Sequence, residues 1–226
     1  MKVSVLLPTY NRPKMLARSI ESFLNQDYEN CELIILNDGG DDVTQTVIDY
    51  YQKLDSRITC VRYENNVLPP KVFNQLLEYA TGDLVCHLHD DDEMLPNGIS
   101  LRVEAFKKDP NLQVVYAGWK VGQNTYYGTQ TPDLNLLLKH EYICYTTLMW
   151  KRSEVDGRFD EDFRYYHDWY FKIKCLKEYR VVNVIDPVIS QGIHLTQDSV
   201  VCRQEGKNAP EEALMRKKLK ENYGIV

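Results

Sequence analysis

The residues best placed to do chemistry in this chain are His89-Asp90-Asp91-Asp92-Glu93, four consecutive carboxylates set directly after the apolar run Leu84 to Leu88. Like charges this close repel one another, and an uncompensated buried carboxylate is costly, so the cluster faces water or meets a cation. Hard divalent ions such as Mg²⁺ and Mn²⁺ take carboxylate oxygens, usually only one or two, and complete their shells with water and substrate phosphates. A diphosphate-bearing substrate suits that chemistry. The plainer alternative is a solvated acidic turn capping the following helix, and the elements that carry the turn bear on the choice.

Those elements alternate. Val3 to Leu7 is a short β-rich run closed by Pro8, and Met15, Leu16, Ile20, Phe23 and Leu24 follow at helical spacing. Leu33 to Leu36 reads as strand, Val43, Val47, Ile48, Tyr51 and Leu54 as one helix face, and Ile58 to Tyr63 as a third strand. A helix carrying Val72, Phe73, Leu76, Leu77 and Ala80 ends at Gly82, Leu84 to Leu88 reads as a strand buried on both faces, and Pro96 opens a helix with Ile99, Val103 and Phe106 before a strand at Val114 to Ala117. This alternation predicts an α/β domain with a mostly parallel central sheet flanked by helices. Ligands in such sheets bind outside the carboxyl ends of the strands, which selects Pro8 to Arg12, Asn37 to Asp42 and His89 to Asp92. The acidic turn therefore stands where a ligand is expected.

Beyond about residue 120 the pattern loosens, with a short helix at Leu134 to Lys139, a strand at Cys144 to Trp150, and a helix at Trp169 to Tyr179. Two further strands at Arg180 to Ile185 and Val188 to His194, then a charged helix at Pro210 to Tyr223, complete the expectation. No linker divides the chain, so residues 1–226 read as one domain. The balance of 27 basic against 33 acidic residues, a net charge of −6, argues against holding nucleic acid by bulk charge. No run approaches the roughly 18 to 20 apolar residues of a membrane span, and Val3 to Leu7 is too short for a secretory core, which predicts a cytoplasmic protein. The six cysteines form no CxxC pair and read as reduced structural thiols.

The opening Val3-Ser4-Val5-Leu6-Leu7-Pro8-Thr9-Tyr10-Asn11-Arg12, then Leu24 to Tyr28, Glu32 to Gly39, Ala80-Thr81-Gly82-Asp83 and Leu88 to Pro96 stand in an order that resembles the family 2 glycosyltransferases with the GT-A fold. Gly157 to Glu161 and Tyr166-His167-Asp168-Trp169 extend the resemblance into the second half. It implies a nucleotide-sugar-binding half at 1–118, an acceptor-side half at 119–226, and transfer of a sugar from a nucleoside diphosphate with inversion at the anomeric carbon. Uracil is the base the resemblance favours, so the implied donor is a UDP-sugar and the acceptor a glycan or glycoconjugate.

The same resemblance implies roles residue by residue. Pro8, Thr9, Tyr10 and Arg12 would line the nucleotide pocket, with an ordinary strand-ending turn as the alternative. Asp38 would read a base edge, or else cap the turn beside Gly39 and Gly40. Asp91 falls at the metal-ligand position for Mn²⁺ or Mg²⁺ and Asp90 beside it, towards ribose. His89 stands where the family's commonest pattern, Asp-any-Asp-Asp, has its first Asp, and reads as a ribose donor or a surface histidine. Lys71, near a helix N-terminus, would meet phosphate or simply face water. Asp168 matches the Asp of the family's Glu-Asp pair, with His167 replacing the Glu, and would deprotonate the acceptor hydroxyl; capping its helix is the competing role. His194 would join the metal or the diphosphate. Trp119, Trp150 and Trp169 are the aromatic faces from which one or two would border the acceptor.

Two other functions remain in view. A sugar-1-phosphate nucleotidyltransferase would carry a Gly-rich loop after the first strand, and Pro8 to Pro13 has no Gly. A catalytically silent sugar-nucleotide-binding or scaffold subunit is supported by the departures at His89 and His167. The sequence leaves the oligomeric state open.

Overall fold

The computed structural model describes residues 1–67, 69–127, 131–139, 143–193 and 209–225. In chain order these form β1 (Val3–Thr9), α1 (Pro13–Leu24), β2 (Cys31–Asp38), α2 (Asp42–Leu54), β3 (Ile58–Tyr63), α3 (Pro69–Tyr79) and β4 (Leu84–His87). There follow β5 (Glu93–Met94), α4 (Gly98–Lys108), β6 (Val114–Val121), β7 (Asn124–Tyr126), α5 (Leu134–Lys139), a 3₁₀ turn at Tyr145–Thr147, β8 (Met149–Lys151), α6 (His167–Glu178), β9 (Val181–Gln191) and α7 (Ala209–Tyr223).

The central strands are apolar on both faces because helices cover both. Val3, Val5 and Leu7 of β1, with Leu33 and Ile35 of β2 and Cys86 of β4, pack against Leu16, Ile20 and Phe23 of α1 and Ile99, Val103 and Phe106 of α4. The alternate positions Leu6, Ile34, Leu36 and Val85 turn to the opposite layer with Phe73 and Leu76 of α3, Phe171 and Ile173 of α6, and Met215 and Leu219 of α7. Each large aliphatic side chain so buried contributes about 1.5–3 kcal/mol, which is why the period-2 pattern fixes strand register. Local chemistry sets the helix starts: Pro13 occupies the first turn of α1, and the Asp41 carboxylate accepts from Thr44 N at 2.8 Å to cap α2.

The sheet order is β3-β2-β1-β4-β8-β6-β9-β5, with β7 hairpinned on β6. Strands β1, β2, β3 and β4 are mutually parallel, as are β6 and β9, whereas β8 runs antiparallel to both β4 and β6 and joins the two blocks. The expected α/β sheet, mostly parallel and flanked by helices, is the observed one. Strand order reverses between β1 and β4, and the carboxyl ends at such a switch point are where α/β sheets take ligands.

Two expectations about the second half change. Cys144 to Trp150 is not one strand: the 3₁₀ turn fills its first part, and only Met149–Lys151 pairs, as β8. The two predicted strands after residue 180 are one, β9, whose register against β6 shifts around Gly118; Ile185 and Asp186 bulge where strand spacing alone reads a break. Short β5 and β7 were too brief to leave a periodic signature. The described cysteines, Cys31, Cys60, Cys86, Cys144 and Cys175, are free thiols, as read from their spacing. Among the described residues no helix is long and apolar enough to cross a membrane.

Candidate active site

Neighbouring carboxyl ends bring the first predicted residues together. Strand β1 delivers Thr9 beside the turn that follows β4, where Thr9 Oγ1 donates to Asp90 Oδ2 at 2.8 Å and Arg12 Nη1 donates to Asp90 Oδ1 at 3.0 Å. Arg12 also lies 3.5 Å from Asp91 Oδ2. Asp90 is buried, and its burial raises its pKa against the opposing charge of Arg12. It thus locks the Pro8–Arg12 turn to the acidic turn. Pro8 is half-buried and Tyr10 exposed, with Asn11 at φ 54° accepting from Asp41 N at 2.7 Å.

Asp38 ends β2, buried at the same edge. Its Oδ1 accepts from Val67 N and its Oδ2 from Asn66 Nδ2, both at 2.9 Å, leaving lone-pair capacity for a further donor. Burial raises its pKa, opposed by the Val67 N–H. Gly39, at φ +71°, packs so closely that a Cβ would meet Asn66 N at 2.5 Å. Lys71 lies in the first turn of α3 with its side chain exposed.

The acidic turn itself is preorganised. Ser19 Oγ donates to the carbonyls of His89 and Asp92, at 3.1 and 2.5 Å, and Asp92 N closes the turn onto His89 O at 3.2 Å. Asp92 Oδ2 accepts from Thr146 Oγ1 and Oδ1 from Gly192 N, each at 3.1 Å. Thr146 is held by its neighbours, since the fully buried Arg102 donates to Thr147 O and Leu148 O at 3.2 and 3.3 Å. His89, Asp91 and Asp92 each offer a ligand atom within 4.8 Å of the others. Burial, with Asp91 alongside, pushes Asp92 up to about 6, while His89 works in the opposite direction. Two carboxylates and an imidazole around one point fit a divalent cation.

Across from this turn stands α6. Asp168 accepts from Trp169 N at 2.7 Å and from Lys172 Nζ at 3.1 Å, and the Lys172 side chain is fully buried. Burial pushes Asp168 up, but the charge of Lys172 and the hydrogen bonds from Lys172 and the Trp169 N–H leave it below the ordinary carboxylate range. It therefore stands ionised at neutral pH, with 28% of its side chain exposed. His167 Nδ1 donates to Arg164 O at 2.8 Å, and burial lowers its pKa, so the ring is neutral.

One ring joins the two sides. Phe73 of α3 contacts His89 at 5.8 Å and His167 at 5.9 Å between centroids, and stacks on buried His87 at 4.6 Å. Burial drives His87 well below the usual histidine range, and its Nδ1 is hydrogen-bonded by the Tyr145 hydroxyl. Of the three tryptophans, Trp150 is fully buried against His87 and Phe171 and cannot border an acceptor. Trp119 stacks on Tyr126 at 5.2 Å, and Trp169 stacks on Tyr166 at 5.6 Å; both are half-buried. His194 lies outside the described residues.

Sequence reasoning missed several supports. Asn74 staples Gly157–Glu161 to α3: it donates to Phe159 O and Glu161 Oε1 at 3.0 Å and accepts from Phe159 N at 2.8 Å. Glu211 of α7 accepts the backbone N–H groups of Arg164, Tyr165 and Tyr166 at 3.0, 2.7 and 3.2 Å, fixing the entry to α6. Thr146 and Gly192 likewise carry no spacing signal. Their roles follow from long-range packing.

The structure thus gathers a threonine–arginine turn, a buried carboxylate at the end of β2 and an acidic turn that fits a cation at neighbouring strand ends of an α/β sheet. The chain matches the model described as Glycosyl transferase family 2 over residues 4–201, and it belongs to that family. It is 31% identical to the Bacillus subtilis protein EpsE over 160 residues, covering 67% of this chain and 57% of EpsE. It is 26% identical over 203 residues to the Escherichia coli UDP-Glc:alpha-D-GlcNAc-diphosphoundecaprenol beta-1,3-glucosyltransferase WfgD, covering 88% of this chain and 79% of that one. Among solved structures, S. aureus TarS 1-349 in complex with UDP superposes with a TM-score of 0.68 at 22% identity, covering 86% of this chain and 61% of that one. The mannosyltransferase PcManGT from Pyrobaculum calidifontis, in complex with GDP-Man and Mn²⁺, superposes with a TM-score of 0.65 at 18% identity, covering 86% and 58%. The GT-A fold expected from the resemblance is therefore the observed fold. The chain spans little more than half the length of EpsE.

Proposed function

We propose that this chain is an inverting glycosyltransferase that moves a sugar from a nucleoside diphosphate sugar, read as a UDP-sugar, to a hydroxyl of a glycan or glycoconjugate in the cytoplasm. The observation that supports it most is the convergence on Phe73 of the acidic turn, through His89, and the α6 terminus, through His167, which sets a donor side and an ionised carboxylate side against one ring. On the donor side Asp38 offers an acceptor to a base N–H, and Pro8, Thr9, Tyr10 and Arg12 frame the nucleotide. Asp90 orders that frame through Thr9 and Arg12, and Lys71 supplies a cation from the start of α3. Asp91 and Asp92 would hold Mn²⁺ or Mg²⁺, which when bound offsets charge on the leaving diphosphate. His194, two residues after Gly192 in sequence, is kept as a further proposed contact to metal or diphosphate.

Asp168 takes the proton of the acceptor hydroxyl as that oxygen attacks the anomeric carbon from the side opposite the diphosphate, in one displacement without a covalent enzyme intermediate. Lys172 and the Trp169 N–H hold the carboxylate ionised and oriented for that transfer. The test is calorimetric titration with UDP, GDP, CDP and dTDP, each with and without Mn²⁺, followed by turnover with the sugar nucleotide that corresponds. Metal-dependent binding of one nucleotide, abolished in Asp91→Asn, and binding without turnover in Asp168→Asn are the expected results. Metal-independent binding in wild type, or full turnover by Asp168→Asn, would overturn the assignments.

A further inference from the structure

The first position of the acidic motif is an imidazole, and the geometry gives it a use. His89 follows β4 on the turn that Ser19 pins through the carbonyls of His89 and Asp92. Its ring is 38% exposed and is walled on its apolar side by Phe73 at 5.8 Å and Tyr145 at 6.0 Å. On the other side Nδ1 stands 4.0 Å from Asp92 Oδ2, and one ligand atom from each of His89, Asp91 and Asp92 lies within 4.8 Å of the others. Ligand bonds of about 2.1 Å require donor atoms about 3 Å apart when adjacent and about 4.2 Å when opposed, so this spacing needs only small side-chain rotations.

We propose that His89 is a nitrogen ligand of the divalent cation, making a His-Asp-Asp set that selects Mn²⁺ over Mg²⁺; this rests on the transferase reading above. The selection follows from ligand chemistry. Mg²⁺ holds oxygen donors and sheds water reluctantly, whereas imidazole nitrogen is an accepted ligand of transition ions. A carboxylate in position 89 would make an all-oxygen set suited to either ion. An imidazole removes one negative charge and substitutes a softer donor, which weakens Mg²⁺ more than Mn²⁺. The aromatic wall of Phe73 and Tyr145 limits the directions the ring can take, so the ligand is held towards the two carboxylates before the ion arrives.

The experiment is pulsed electron paramagnetic resonance on the full chain with Mn²⁺ and UDP, read for echo modulation from a directly bound nitrogen, alongside calorimetric affinities for Mn²⁺ and Mg²⁺. Because His194 is itself proposed near the metal, the reading is taken in the His194→Gln background: nitrogen modulation is expected in His194→Gln and its loss in the double variant His89→Gln, His194→Gln. Outer partners of metal ligands are already worth about 10–100-fold in affinity, so His89→Asp is expected to lower the Mn²⁺/Mg²⁺ preference by about tenfold or more. Bound Mn²⁺ without nitrogen modulation in His194→Gln, or modulation that survives in the double variant, would overturn the His89 assignment and leave the transferase reading standing. Failure of wild type to bind Mn²⁺ with any of the four nucleoside diphosphates would overturn both.

Discussion

Gly192→Ala tests whether the end of β9 completes the acidic turn. Gly192 lies directly against the Asp91 carbonyl, and a Cβ built at residue 192 would overlap that oxygen, which is backbone and cannot rotate away. Either the acidic turn or the strand end must move, and both routes break the 3.1 Å hydrogen bond from Gly192 N to Asp92 Oδ1. A hydrogen bond to a charged group is worth about 1.5–3 kcal/mol, and each 1.4 kcal/mol is a factor of ten. Affinity for Mn²⁺ with UDP should therefore fall by roughly 10- to 150-fold if the cation needs Asp92 where it stands. The same loss also weakens the fold, so the urea midpoint should fall, and affinity is read under conditions where the variant is fully folded. The assay is calorimetry on the folded variant, with circular dichroism as the fold control. Affinity within twofold of wild type in a folded Gly192→Ala protein would refute the view that this glycine braces the metal turn.

Replacing Lys172 by Met should move the acid limb of the kcat/KM profile to higher pH, because Asp168 loses the charge that holds it below the ordinary carboxylate range while its burial continues to raise it. An unmoved acid limb would detach that limb from Asp168. The stability linked to Asp168 has the corresponding sign: a depressed carboxyl stabilises above the unfolded value of about 3.9 and loses that contribution as pH falls through the folded value, so acid unfolding of wild type should begin below about pH 4 at this group and be blunted in Asp168→Asn. Asn74→Ala removes both backbone partners of buried Phe159 and should cost roughly 2–4 kcal/mol in urea unfolding, with turnover reduced through the loosened 157–161 segment. A loss below about 0.5 kcal/mol would show that water replaces the amide.

The first half was legible because its signals are local. A strand of apolar residues followed by a polar turn announces both the element and its end, and Thr9, Asp38 and Asp91 stand at or just after neighbouring strand ends as that pattern reads. The second half was less legible. Asp168 could be placed by its motif, but not the fully buried Lys172 four residues on, whose type reads as surface until α6 is seen packed against the sheet. Thr146 sits in an apolar run whose β-propensity is overridden by a 3₁₀ turn held from Arg102. Glu211 looks like any acidic residue in a helix's first turn, and only the fold sets it under three successive backbone N–H groups more than 40 residues away. Such contacts have no period and therefore no sequence signature.

The two departures from the family's commonest pattern, at His89 and His167, supported a silent subunit when read singly, and the fold gives them a common physical setting. Both rings lie against Phe73, and Phe159 closes on His167 at 5.0 Å from another side. A carboxylate at either position would stand beside an aromatic ring with part of its hydration removed, whereas the imidazole ring packs against Phe73 as a second flat ring. The change of residue type therefore matches the change of environment that Phe73 imposes. Neither change removes a group on which the proposed chemistry depends: Asp91 and Asp92 remain at the turn, and Asp168 remains ionised beside Lys172. A carboxylate held below its ordinary range by a fully buried lysine is an arrangement whose desolvation cost is hard to account for by packing alone, since a hydrophobic pair of similar volume is often at least as stable. That supports the proposal of an active base over a helix cap, and with it the proposed transferase over the silent subunit.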